Sequence, residues 1–182
     1  MPSPQELKTL PTVELYHEFS TGNSLSIAYR LHRDGETSAF ATIDTNGTLD
    51  TIEVFPSHVP CSILRESGYL DFYRHVVSTY TPAQFDPAGL SELTERADWS
   101  ITACLRDAIA CSGLVSIAVA DSDLMLVGLP VTLDDAALAL RQLDMKTMTL
   151  AEEETSVRLA DIRLLEYASQ QKILLQKHLG LG

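Results

Sequence analysis

The chain has 182 residues, a 45% hydrophobic fraction and a formal net charge of −12. That composition excludes a disordered chain, and no apolar run approaches the roughly 18–20 residues of a membrane span. The acidity and the lack of any Lys/Arg cluster argue against a nucleic-acid partner, whose affinity comes mainly from neutralised phosphates.

Residues 1–11 carry Pro2, Pro4 and Pro11 and read as a lead-in with at most one helical turn. A period of two follows. Val13, Leu15, His17 and Phe19 alternate with polar neighbours, and Leu25, Ile27, Tyr29 and Leu31 do the same after Gly22-Asn23. Thr37–Ile43 and Leu49–Phe55 flank Asn46-Gly47, the strongest short hairpin signal. These segments predict a four-strand antiparallel meander over residues 13–55 with one apolar face. Pro56 and Pro60 end it. Residues 61–80 have helical spacing at Leu70, Tyr73, Val77 and Tyr80, and residues 81–89, with Pro82 and Pro87, form a loop.

Leu90 to Ser112 is again helical, with Asp98 as a cap and Gly113 as the stop. Leu114–Ala120 and Leu124–Val131 are short β-branched runs around Asp121-Ser122-Asp123 and predict a second hairpin. Thr132 with Asp135 predicts a helix over Leu133, Ala136, Ala137, Leu140 and Leu143. From Thr149 to His178 there is neither Gly nor Pro. A capping box at Thr149–Glu152 and a stop at Gly180 predict one helix over 150–178, about 42 Å long at 1.5 Å per residue. Residues 157–182 carry Arg158, Arg163, Lys172 and Lys177 against Asp161 and Glu166, whereas the rest is strongly acidic.

The expected fold class is therefore α+β: an antiparallel sheet, built from the meander and the later hairpin, covered by helices, with a long C-terminal helix. One domain spans 1–182, and the joint, if the chain divides, lies at 81–89. No repeat of 20–50 residues is present.

No constellation carries catalysis. There is no phosphate loop, no GxSxG and no HxH, HxxxH or HExxH spacing. Metal and cofactor are therefore expected to be absent. Asp121 and Asp123 fit a turn better than a cation, which needs six to eight oxygens when it is Ca²⁺. Cys61, Cys104 and Cys111 form no CxxC, and with no secretory signal at the N-terminus they are expected to be reduced thiols in the cytoplasm. Cys104 and Cys111, two helical turns apart, are expected to be buried. Trp99 is expected to staple a helix to the body.

Residues 99–143 read as a helix beginning Trp99-Ser100-Ile101-Thr102-Ala103-Cys104, the hairpin LVSIAVADSDLMLVGLPVTL and then the apolar helix DDAALALRQL. This order resembles the second half of class I type III secretion chaperones. The resemblance covers about a quarter of the chain and implies a small acidic α/β homodimer without enzymatic activity that holds an unfolded segment of a secreted protein.

Two function classes follow. The first is a non-enzymatic, acidic protein-binding module of the cytosol: a chaperone, adaptor or inhibitor. Its partner is another protein or a second copy in a homodimer, met through Leu159, Ile162, Leu165 and Ile173 on the long helix and through Trp99. The second is a small-molecule sensor or enzyme with a pocket between sheet and helices, drawing on His17, Tyr29, Cys61 and Tyr73.

Overall fold

A computed structural model describes residues 4–19, 22–120, 122 and 124–181. Among the described residues ten strands form one antiparallel sheet. They are β1 (Thr12–Phe19), β2 (Gly22–Arg33), β3 (Thr37–Ile43), β4 (Leu49–Pro56), β5 (Cys61–Leu64), β6 (Val115–Val119), β7 (Met125–Leu133), β8 (Ala137–Asp144), β9 (Thr149–Arg158) and β10 (Ile162–Ser169). Their order across the sheet is β5-β1-β2-β3-β4-β10-β6-β7-β8-β9. The described helices are short: α1 (Pro4–Leu7), α2 (Gly68–Ser78), α3 (Pro82–Phe85), α4 (Ile101–Ala110) and α5 (Gln170–Leu179). None is long and apolar enough to cross a membrane.

The sheet is a tandem duplication with a period of about one hundred residues. In each half a four-strand meander is followed by a fifth strand that returns to pair with the first, and then by a helix. Thus β1–β5 and α2 correspond to β6–β10 and α5. The turns repeat the same kind of Asp side-chain bond at equivalent positions. Asp34 Oδ1 accepts from the amides of Glu36 and Thr37, both at 2.7 Å, and Asp134 Oδ1 accepts from those of Ala136 and Ala137, both at 2.7 Å. Asp44 Oδ1 accepts from Asn46 and Thr48, and Asp144 Oδ1 from Lys146 and Thr147. Each is an Asx turn, in which a short carboxylate replaces a backbone acceptor.

The halves join where β4 pairs antiparallel with β10, setting Leu165 across from Val54 and Glu166 across from Glu53. Within the first half, the meander makes β4 parallel to β5. Because β10 is antiparallel to β4, it runs opposite to β5, its counterpart. The second repeat is therefore turned over by a half-turn about an axis lying across the strands, which exchanges its two faces. The packing follows. On α2, Leu70, Tyr73 and Val77 enter the main core, while Leu175 of α5 joins a separate cluster with Leu114 and Leu143. The joint leaves β4 buried along both faces, with only Asp50 and Pro56 partly exposed.

Several expectations are corrected. The α+β class gives way to a single large antiparallel sheet with few short helices. Four strands are present among the described residues of 13–55 as expected, and Ile27 and Tyr29 are core residues, but Leu25 is 46% exposed. Residues 61–64 are a strand, and α2 starts only after its cap, Ser67. Ser100, not Asp98, caps α4, and Ser112 rather than Gly113 takes the left-handed conformation after it, at φ 53°. The helix expected around Leu133–Leu143 is strand β8, with Leu138 and Leu140 buried in alternation. The helix expected over 150–178 is β9, a 3-10 turn (Leu159–Asp161), β10 and α5. Helical spacing there arises because β10 is an inner strand with both faces covered. Such strands read as continuous apolar runs, which match any periodicity. Only the last third is a helix, capped by Ser169 and stopped by Gly180 in the left-handed region as expected. At residues 81–89, Phe85 is fully buried. The Asp121 and Asp123 turn lies outside the described residues.

Candidate functional site

Two features of this sheet offer chemistry to the outside. The first is its β9 edge. Ten residues long, β9 has a neighbour on one side only, β8. The pairing is regular from Glu154 to Arg158 and again at Thr149 and Leu150, with a bulge between. In that bulge the guanidinium of Arg141 donates to the Ala151 carbonyl at 2.8 Å. Glu152, Glu153 and Glu154 are all exposed, while Val157 is buried. The other edge, β5, has four residues and presents Leu64, 44% exposed. Unpaired edges invite a further strand, and bulges and charges are the usual means of restricting what can join.

The second feature is a cluster of ionisable groups at the repeat joint. Glu53 faces Phe40 of β3 on one side and Glu166 of β10 on the other. It is 8% exposed, and its Oε2 has no hydrogen-bond partner among the described residues. Burial first, then the nearby Glu166, push its carboxyl up to about 8, against the opposing pull of Lys172. Lys172 is itself 2% exposed. Its Nζ donates to Glu166 Oε2 at 2.6 Å and reaches Ser169 Oγ at 3.5 Å. Burial lowers the Lys172 ammonium from its ordinary value, and Glu166 counteracts that. Burial also raises the Asp50 carboxyl. Glu53, Glu166 and Asp50 border a cavity of about 260 Å³ that Tyr69 and Tyr73 of α2 help to enclose.

The residues expected to form a pocket do not converge. His17 and Cys61 are cross-strand partners on β1 and β5, but the His17 side chain lies outside the described residues. Burial pushes the Cys61 thiol up to about 11, which disfavours the nucleophilic thiolate. Tyr29 sits in the main core, edge-on to Phe85 at 5.9 Å, and burial pushes its phenol up to about 12. Tyr73 lines the carboxylate cavity, and its hydroxyl donates to the Thr45 carbonyl at 3.3 Å. Cys61 packs with Phe40 and Phe55, whereas Tyr29 and Tyr73 lie in the main core. Because Ala28 and Tyr29 are consecutive on β2 and belong to those two clusters respectively, the clusters occupy opposite faces of the sheet.

The residues expected to bind a partner, on the long helix and at Trp99, belong to or pack against the main core. Ile162, Leu165 and Trp99 are in the main core, and Leu159 and Ile173 pack against it. Trp99 is buried, and the Arg96 guanidinium lies 5.5 Å from its ring and 4.8 Å from that of Tyr167. Of the two cysteines expected to be buried, Cys104 is buried and Cys111 is exposed. Sequence reasoning did not single out Glu53, and it counted Lys172 only among the basic residues of the C-terminal stretch. The available signal was a lone acid in Ile52-Glu53-Val54-Phe55, where every neighbour is apolar.

No protein-family model, curated protein or solved structure matches this chain. The segment DDAALALRQL, a helix in the order on which the chaperone resemblance rests, is the turn and strand leading through β8.

Proposed function

We propose that this protein is a non-catalytic protein-binding module whose β9 edge takes up an extended basic segment of another protein. One observation carries this reading. The counterpart of β9 in the first repeat is β4, and β4 is covered by an added antiparallel strand, β10, whereas the same edge of the second repeat is open. The molecule thus contains its own example of what that edge accommodates. Main-chain hydrogen bonds would supply affinity, as in other strand additions. Three exposed glutamates on the edge repel an acidic or identical strand and complement a basic one. The overall charge of −12 attracts the same partner over a longer range.

The test is amide exchange by NMR with two ten-residue peptides, one alternating Lys and Val and the other Glu and Val. The basic peptide should slow exchange within residues 154–158, and the acidic one should not. Reversing Glu152, Glu153 and Glu154 to Lys should weaken the basic peptide at least tenfold. Unchanged exchange in β9, or unchanged affinity in the triple variant, would refute the proposal. A second copy joining through its β5 is the competing occupant. It would be indicated by a mass that rises with concentration and reverts on Ile63→Pro, and it would overturn the basic-segment reading.

A further inference from the structure

At the end of the sheet opposite β9, where β5, β1 and β2 lie side by side, Arg30, Arg33 and Arg65 line a cleft of about 530 Å³. We propose that this cleft binds a small organic dianion, a phosphate monoester on a short aliphatic chain. The module proposed above makes no use of it, so either reading can fail without the other.

The strand register gathers the three arginines. On β2, Arg30 stands opposite Phe40 of β3, and Arg33 opposite Ser38. Phe40 and Ser38 are two residues apart on a regularly paired stretch, so they share a face. Arg30 and Arg33 are three apart, and an uninterrupted strand would point them to opposite faces. A bulge between Arg30 and His32 supplies the extra residue that returns both to the Phe40 face. Val13 of β1 pairs with Ala28 on that same face. Arg65 follows Leu64, the partner of Glu14, and so comes up beside Val13. The second repeat has the same bulge, between Pro130 and Thr132, but carries Pro130 and Leu133 where the first has Arg30 and Arg33. The fold therefore does not require a guanidinium at either place.

The ligand class follows from charge and lining. The chain has 25 acidic side chains against 13 basic ones, and Arg74, Arg96, Arg158 and Lys172 each pair with an acid. Arg30, Arg33 and Arg65 make no side-chain hydrogen bond or ion pair among the described residues. Nor does an acid stand among the described residues that line the cleft. His32 lines it as well, but Asp34 holds its Nε2 at 2.9 Å. Three unpaired guanidiniums gathered in one concavity of so acidic a molecule suit an anion brought from outside. Their planar donors match the terminal oxygens of a phosphate monoester through charge-assisted bonds. A carboxylate, with two oxygens and one charge, would leave part of the set unused. Leu10, Val13 and Leu31 give the ligand an aliphatic wall. The volume falls within the roughly 300–1,000 Å³ of small-molecule sites, which combine apolar walls with a few placed polar groups.

Hexyl phosphate is the probe, at fixed ionic strength and at pH 8, where the monoester is a dianion. Hexan-1-ol, inorganic phosphate and heptanoate are the controls for the chain alone, the head alone and a single charge. Wild-type protein should show a saturable rise of Tm with hexyl phosphate, because a ligand of the native state stabilises it. The alcohol should give none, and the other two should bind about tenfold more weakly or worse, the loss of one charge-assisted bond or of the aliphatic contact. The amides of Arg30 and Arg33 should shift in NMR spectra along the same titration. Arg30→Gln and Arg65→Gln should each weaken binding about tenfold. Arg106→Gln, the same charge change at an exposed position outside the cleft, should leave it unaltered. Should Arg30→Gln not fold, Arg65→Gln decides, because Arg65 is exposed and lies beyond the end of β5. No saturable rise in the wild type, equal affinity for any control, binding undiminished in Arg30→Gln or Arg65→Gln, or an equal loss in Arg106→Gln would overturn the assignment.

Discussion

Replacing Glu53 with Gln should change how stability depends on pH. The Glu53 carboxyl stands at about 8 in the folded protein, against 4.5 for an ordinary glutamate. Below pH 4.5 both folded and unfolded chains hold the proton, and the group has no effect on stability. Between 4.5 and 8 the folded chain keeps a proton that the unfolded chain releases, so stability falls as pH rises. Above 8 the loss is complete. A displacement of this size corresponds to about 5 kcal/mol at most, at 1.36 kcal/mol per unit. The groups facing Glu53 are Asp50 on its own strand, Glu166 on β10, Lys172 on α5 and, across the same face, Cys61 on β5. Asp50 and Glu166 enforce the shift and Lys172 opposes it. Gln is nearly isosteric and neutral at every pH. Urea unfolding of both proteins at pH 5, 6, 7 and 8 measures the difference, in which the other carboxylates cancel to first order. The stability of Glu53→Gln relative to wild type should increase by several kcal/mol from pH 5 to pH 8. Two parallel pH profiles would refute the reasoning, because they would mean that Glu53 titrates alike in both states.

Three further outcomes test the fold. Leu165→Ala, at a fully buried position of the joint, should cost about 2–5 kcal/mol in denaturant unfolding, whereas Leu174→Ala on α5, 66% exposed, should cost about 0.5 kcal/mol or less. Gly128→Ala should destabilise by about 1–3 kcal/mol or more in the same assay, since its Cβ would stand 2.4 Å from the Arg141 carbonyl oxygen of the paired strand. Gly35→Ala, with nothing within 4 Å, should be tolerated. Native iodoacetamide labelling at pH 8, read by mass spectrometry, should modify Cys111 first, because Cys104 is buried and burial holds both its thiol and that of Cys61 at about 11.

The features legible in the sequence are those governed by neighbours along the chain. Asn46-Gly47 marks a turn because Gly47 has to adopt a φ of 85°, and the alternation around it follows from the pleat of a strand. The Ile27 and Tyr29 face and the Gly180 stop are equally local. Asp34 and Asp134, and likewise Asp44 and Asp144, stand one hundred residues apart in plain view. The duplication is disclosed by the repeated strand order and pairing together with the similar turn hydrogen bonds.

The tertiary structure decided the rest. Leu, Ala and Glu favour helices in isolation, so 137–144 and 150–169 carry strong helical propensity. The sheet overrides it, because β8 and β10 are paired on both sides, β9 is paired along one side with β8, and Leu138, Leu140, Val157 and Leu165 reach a common core. The candidate sites depend on the same long-range pairing. Glu53 and Glu166 are 113 positions apart in sequence, and nothing local announces that they face each other. Nor does anything local show that β4 is covered and β9 open. A strand's own residues state how it alternates, but its position in the sheet, and hence which edge is free and which acid is buried, is set by the strands that flank it.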